Sequence, residues 1–86
     1  MMKKMSVQEK ALENLSKSFL QRANEANTTE DLELLELLAK DPEWPIREAV
    51  AYNKHAPKSI LEGLLKDASP FVKYAAERGL GGICFQ

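Results

Sequence analysis

The segment DPEWPIREAVAYN, residues 41–53, returns 26 residues later as DASPFVKYAAERG, residues 67–79. A period of this size is the mark of stacked helical units, each too small to bury its own apolar stripe and each serving as its neighbour's core. Shifting by 26 brings Leu34 onto Ile60, Leu35 onto Leu61, Leu38 onto Leu64, Ile46-Arg47 onto Val72-Lys73 and Ala49 onto Ala75. Asn27 falls on Asn53 and then on Gly79. A fainter copy precedes both units, with Leu20 and Ala23 falling on Ile46 and Ala49.

Local signals fill in the elements. The first helix is expected over residues 6–26. It opens on the capping box SVQE and carries Leu12, Leu15, Phe19, Ala23 and Ala26 at three- and four-residue steps. Asn27 stands where a left-handed residue would stop it. Thr28 or Thr29 can cap a second helix, whose stripe is Leu34, Leu35 and Leu38 and which ends before Pro42. A third helix is expected over 44–52, with Pro45 in its first turn. Pro57 starts a fourth, with Ile60, Leu61, Leu64 and Leu65 inward. Gly63 weakens it, and close backbone approach is one reason for a glycine there. Ser69 and Pro70 form an N-cap and first-position pair for a fifth helix over 70–78, which Gly79 ends. Alternating strand patterns are absent, so the chain reads as all-α.

Residues 1–86 therefore read as a single domain: a capping helix at 6–26, repeats at 27–53 and 54–79, and a tail at 80–86. The 26-residue match places Leu35, Leu38, Ile46, Ala49, Leu61, Leu64, Val72 and Ala75 in the core.

Charge narrows the partners. Residues 1–43 carry six Lys/Arg and nine Asp/Glu, whereas residues 44–86 carry six and four. A surplus of two cations is far from the footprint of a dedicated nucleic-acid binder. No window reaches the roughly 18 apolar residues of a membrane span, and Glu9, Lys10 and Glu13 interrupt any signal-like run. One cysteine, Cys84, excludes an internal disulfide and suits a reducing compartment, so the chain reads as cytoplasmic.

The residues LLKDASPFVKYAAERGLG resemble the HEAT-like pattern: a leucine pair, an Asp, then a basic residue six positions on. Asp41 to Arg47 and Asp67 to Lys73 both keep that step. The run VAYNKHAPKSILEGLLKD is similar to the leucine-rich repeat variant family. Trp44-Pro45 where the second unit has Pro70-Phe71, and Lys73 in place of an Arg, depart from strict repetition. The resemblance, over about residues 27–80, implies a short right-handed α-solenoid of about five helices. It also implies that the Asp and basic residues pair within or between units, and that the third and fifth helices line a concave face. Outward rows on that face are Arg47, Ala51, Lys73 and Glu77, and beside them Glu48, Tyr52, Tyr74 and Arg78.

Nothing in the chain signals catalysis. His55 and Cys84 stand alone as metal-ligand or nucleophile candidates, so neither a metal site nor a cofactor is expected. The cysteine cluster that holds an iron–sulfur centre in some leucine-rich variant proteins is absent, and the GLGG run follows a helix rather than opening one. Trp44 either packs over helix ends or anchors a partner. The candidate partner-binding residues are Trp44, Arg47, Tyr52, Lys73, Tyr74 and Arg78, with a solvated helix face as the alternative. The leading expectation is a non-catalytic protein that binds another protein. Nucleic-acid binding by the same face is the runner-up. The apolar tail, with Leu80, Ile83, Cys84 and Phe85, either folds over the last helices or joins two chains end to end, giving a monomer or a weak homodimer.

Overall fold

The computed structural model of the chain describes residues 6–81. They form six α-helices and no strand: α1 (Val7–Leu15), α2 (Phe19–Thr28), α3 (Leu32–Leu38), α4 (Trp44–Tyr52), α5 (Lys58–Leu64) and α6 (Pro70–Gly79). The all-α expectation holds, with six helices where about five were expected.

The extra helix comes from a break in the segment expected to be one helix. Ser16 closes α1, and its hydroxyl donates to the Glu13 carbonyl at 2.7 Å. Ser18 then opens α2 with a second capping box. Its Oγ accepts from the Gln21 amide at 3.1 Å, while Gln21 Oε1 accepts from the Ser18 amide at 3.0 Å. Ser6 and Glu9 make the expected box on α1. Each box satisfies two amides that a helix start leaves orphaned, which makes a restart at Ser18 favourable. Leu12 and Phe19, expected on one inward stripe, are exposed in consequence, while Ala26 is fully buried.

Other boundaries shift for equally local reasons. Asp31, not Thr28 or Thr29, caps α3, accepting from the Glu33 and Leu34 amides. No described residue other than glycine has positive φ, so Asn27 is not a left-handed stop. Gly79 lies inside α6. The left-handed residue that follows this helix is Gly81, at φ 71°. Ser69 and Pro70 open α6 as expected, with Ser69 Oγ accepting from the Phe71 amide. Of the tail, Ile83, Cys84 and Phe85 lie outside the described residues.

Helix α4 is the hub. It packs against α2 on one side and α6 on the other, with α3 and α5 also resting on it and α1 resting on α3. Leu35 and Leu38 from α3, Leu61 and Leu64 from α5, and Ile46, Val50 and Val72 from α4 and α6 make one core. Ala26, Ala51, Ala75 and Ala76 are buried in it. Side chains this small let neighbouring helix axes approach closely. Ala49, expected in the core, packs against it half-buried. The principal extents are 50 × 23 × 18 Å, and the radius of gyration is 13.1 Å. A compact chain of this length would have about 12 Å, so the molecule is elongated.

Leu20 is 76% exposed while Ile46 is fully buried, so those two residues are not structural equivalents. The place of Arg47 is taken in the first copy by Arg22, a step of 25.

Candidate interaction surface

Two ion pairs link consecutive turns. Arg22 Nη1 donates to Asp41 Oδ2 at 2.6 Å. Arg47 Nε and Nη2 donate to Asp67 Oδ2 and Oδ1 at 2.7 and 3.0 Å, a two-pronged contact suited to a planar guanidinium. Arg47 Nη1 also donates to the Asp41 carbonyl at 2.6 Å, so one side chain grips both turns. Each Asp has a second task. Asp41 Oδ1 accepts from the Glu43 amide and Asp67 Oδ1 from the Ser69 amide, both at 2.9 Å, which shapes the turns leading into α4 and α6.

The Arg47 hydrogen bonds hold the Asp67 carboxyl below its ordinary value against the opposing effect of burial, with the Ser69 amide and the charges of Arg47 and Lys73 adding to them. The same bonds, opposed by burial and helped by the charges of Asp67 and Asp41, raise Arg47. The pairing is therefore between units, with Arg47 reaching the carboxylate of the next Asp and only the backbone of its own.

This geometry corrects the expected outward row. Arg47 is held in the ion pair, its side chain only 17% exposed, and Ala51 is buried, so neither stands out into solvent as the expected row would have it. Lys73, at the corresponding place in α6, is exposed. The second row fares differently: Tyr52, Tyr74 and Arg78 are exposed and Glu48 is half-buried. Arg78 Nη1 donates to Tyr74 Oη at 3.2 Å, and its guanidinium carbon lies 5.6 Å from the ring centroid.

Trp44 packs at the helix starts and keeps part of its ring exposed. Its ring stacks on Phe71 with centroids 4.9 Å apart and planes 20° apart, yet it stays 40% exposed and Phe71 57%. Both residues sit at the starts of their helices. Tyr52 and Arg78, near the other ends, line a hollow of about 320 Å³ together with Ala51, Asn53, Lys54, Ala56, Leu61 and Gly79. A Cβ at Gly79 would lie 2.9 Å from the Ala51 carbonyl oxygen and 3.2 Å from both Leu61 methyls. Glycine is what lets α6 close on α4 here.

Asn53 does the corresponding linking one unit earlier. Its buried amide donates to the Ala26 and Thr29 carbonyls, both at 2.9 Å, and its Oδ1 accepts from the His55 amide at 2.7 Å. His55 Nε2 stands 3.8 Å from Glu30 Oε2. Among the described residues no group of three His, Cys, Asp or Glu side chains could hold a metal ion, and no helix is long and apolar enough to cross a membrane.

Sequence reading passed over four contributors: Arg22, Asn53, Lys54 and Phe71. Asn53 was visible only as a repeat position and Phe71 only as a counterpart of Pro45. Arg22 was hidden by the one-residue difference between a 25- and a 26-residue step. No protein-family model, curated protein or solved structure matches this chain.

Proposed function

We propose that the chain is a small non-catalytic helical-repeat protein that binds another protein through the face shared by α4 and α6. In this reading it is a short right-handed α-solenoid of the HEAT-like or leucine-rich variant kind, working in the cytoplasm. Supporting the solenoid are the elongated shape, the succession of α2, α4 and α6 as neighbours, and an ion pair recurring at nearly the repeat spacing. The observation that carries the binding role is the Trp44–Phe71 stack, left accessible at one end of a face whose other end bears Tyr52, Tyr74 and Arg78. Aromatic residues and Arg dominate the energetic centres of protein interfaces. A folded chain that needed those rings only for its own core would cover them more fully.

Affinity capture with three baits tests this: the parent chain, a Trp44→Ser/Phe71→Ser double variant, and Glu36→Gln on another part of the surface. A protein retained by the parent and Glu36→Gln, and lost with the double variant while its helical circular dichroism is unchanged, is the expected result. Identical capture by all three overturns the assignment of the face. Glu48 and Glu77 lie among the cations of α4 and α6 and weaken the case for phosphate binding. Retention that collapses at moderate salt and after nuclease treatment would move the reading to nucleic acid.

A further inference from the structure

The cations of the described residues fall into two groups. Lys17, Arg22 and Arg47 are each paired with a carboxylate and hold helices or turns together. Lys40, Lys54, Lys58, Lys66, Lys73 and Arg78 have no described carboxylate within ion-pair distance, and of these Lys54 and Arg78 together line the hollow at the ends of α4 and α6. Leu61 and Ala51 give that hollow apolar lining, Tyr52 contributes an aromatic ring, and no acidic side chain lines it. A second hollow, between α3 and α5, is lined by Glu36, Lys40 and Asp67 and so favours neither sign of charge.

Arg78 is also partly held in place by Tyr74, so less side-chain freedom is lost when it grips an anion. The hollow lies where the second unit departs from the first. Asn53 sends an amide across the corresponding gap to the end of α2, whereas Gly79 has no side chain to send.

We propose that this hollow is the carboxylate-binding end of a peptide site, and that the partner presents an acidic linear segment. A Glu or Asp side chain sits between Lys54 and Arg78, and an apolar side chain rests on the Trp44–Phe71 stack. Trp44 and Tyr52 are eight residues apart on one helix, about 12 Å at 1.5 Å per residue. An extended segment covers that distance in about four residues. The inference rests on the protein-binding reading above and adds the chemistry of the partner.

The test uses the full chain labelled with ¹⁵N and two capped hexapeptides. Both have leucine first and serine or glycine in the next three positions. One ends in two glutamates and the other in two glutamines. The glutamate peptide is expected to shift the backbone amides of Lys54, Arg78 and Gly79 and the Trp44 indole. It should bind about fivefold more tightly than the glutamine peptide at low salt. Lys54→Gln and Arg78→Gln, both at exposed positions, should remove that preference and leave the remaining amide spectrum in place.

Equal affinity for the two peptides overturns the acidic partner while leaving a protein-binding face intact. The absence of any shift at millimolar peptide also overturns it, and the capture experiment then decides separately whether the protein-binding reading survives. If a thymidine oligonucleotide occupies the hollow more tightly than the glutamate peptide, with a steep salt dependence, the partner class is nucleic acid and the proposal falls.

Discussion

Arg47 meets two turns at once, and its removal separates them. Arg47→Ala leaves the Asp67 carboxylate half-buried without its cation and the Asp41 carbonyl without its donor. The expected cost is about 2–4 kcal/mol, read from a urea midpoint. Arg47→Lys should recover only part of that, because an ammonium cannot make the two-pronged contact. The pH dependence has a definite sign. Asp67 has a lowered value in the folded chain, so the unfolded chain takes up its proton first as pH falls. The stability it contributes is complete above about pH 4, the unfolded value, and is lost as pH drops through the lower folded one. Asp67→Asn should flatten the acid limb of the stability curve, and an unchanged limb would contradict this account. Two glycines make an opposed pair at the same scale. Gly79→Ala meets backbone at 2.9 Å and should cost about 1–3 kcal/mol. Gly63→Ala meets nothing within 4 Å and should stabilise α5 by about 0.5–1 kcal/mol. The close approach expected at Gly63 occurs instead at Gly79.

The helices differ in how much of them could be read from the chain. The starts of α4, α5 and α6 were legible because proline and serine act locally, through a fixed φ and a side-chain acceptor. The leucine stripes of α3 and α5 were legible because burial follows helical periodicity. The break between α1 and α2 was written in the same local code, as Ser18 and Gln21, but an uninterrupted apolar period from Leu12 to Ala26 argued for continuity. The exposure of Leu12 and Phe19 shows that period to be only partly a packing signal. Ser18→Ala should cost about 1 kcal/mol and loosen the start of α2, seen as faster amide exchange at Gln21. Contacts across 19 and 20 residues, Arg22 to Asp41 and Arg47 to Asp67, were legible only as a rule that Asp and cation pair. Their partners are chosen by how helices stack, which no local pattern encodes. Exposure on α4 and α6 was legible in part: Tyr52, Tyr74 and Arg78 emerge exposed, whereas Arg47 is drawn inward by an acceptor in the following unit.

At the scale of the whole molecule, one thin core runs through an elongated body, and few residues stand behind each other as reserve. Leu38, fully buried, sits in the middle of it, and Leu38→Ala should cost about 2–5 kcal/mol. That is a large share of a margin of about 5–15 kcal/mol, and thermal melting followed by circular dichroism measures it. The joining role expected of the tail rests on Ile83, Cys84 and Phe85, which lie outside the described residues. Lys73, Glu77 and Arg78 of α6 are exposed beside the exposed rings of Phe71 and Tyr74. The two arginine pairs also make the body a mechanical object. Drawn apart by its ends, it carries tension through two clasps in series. The Arg22 clasp has one hydrogen bond to its carboxylate and a buried Nε with no acceptor, while the Arg47 clasp has two bonds and a third to backbone. The first should open at lower force, so an optical trap should record α1 and α2 paying out before the remainder. Asp41→Asn should weaken that first event and leave the second where it was.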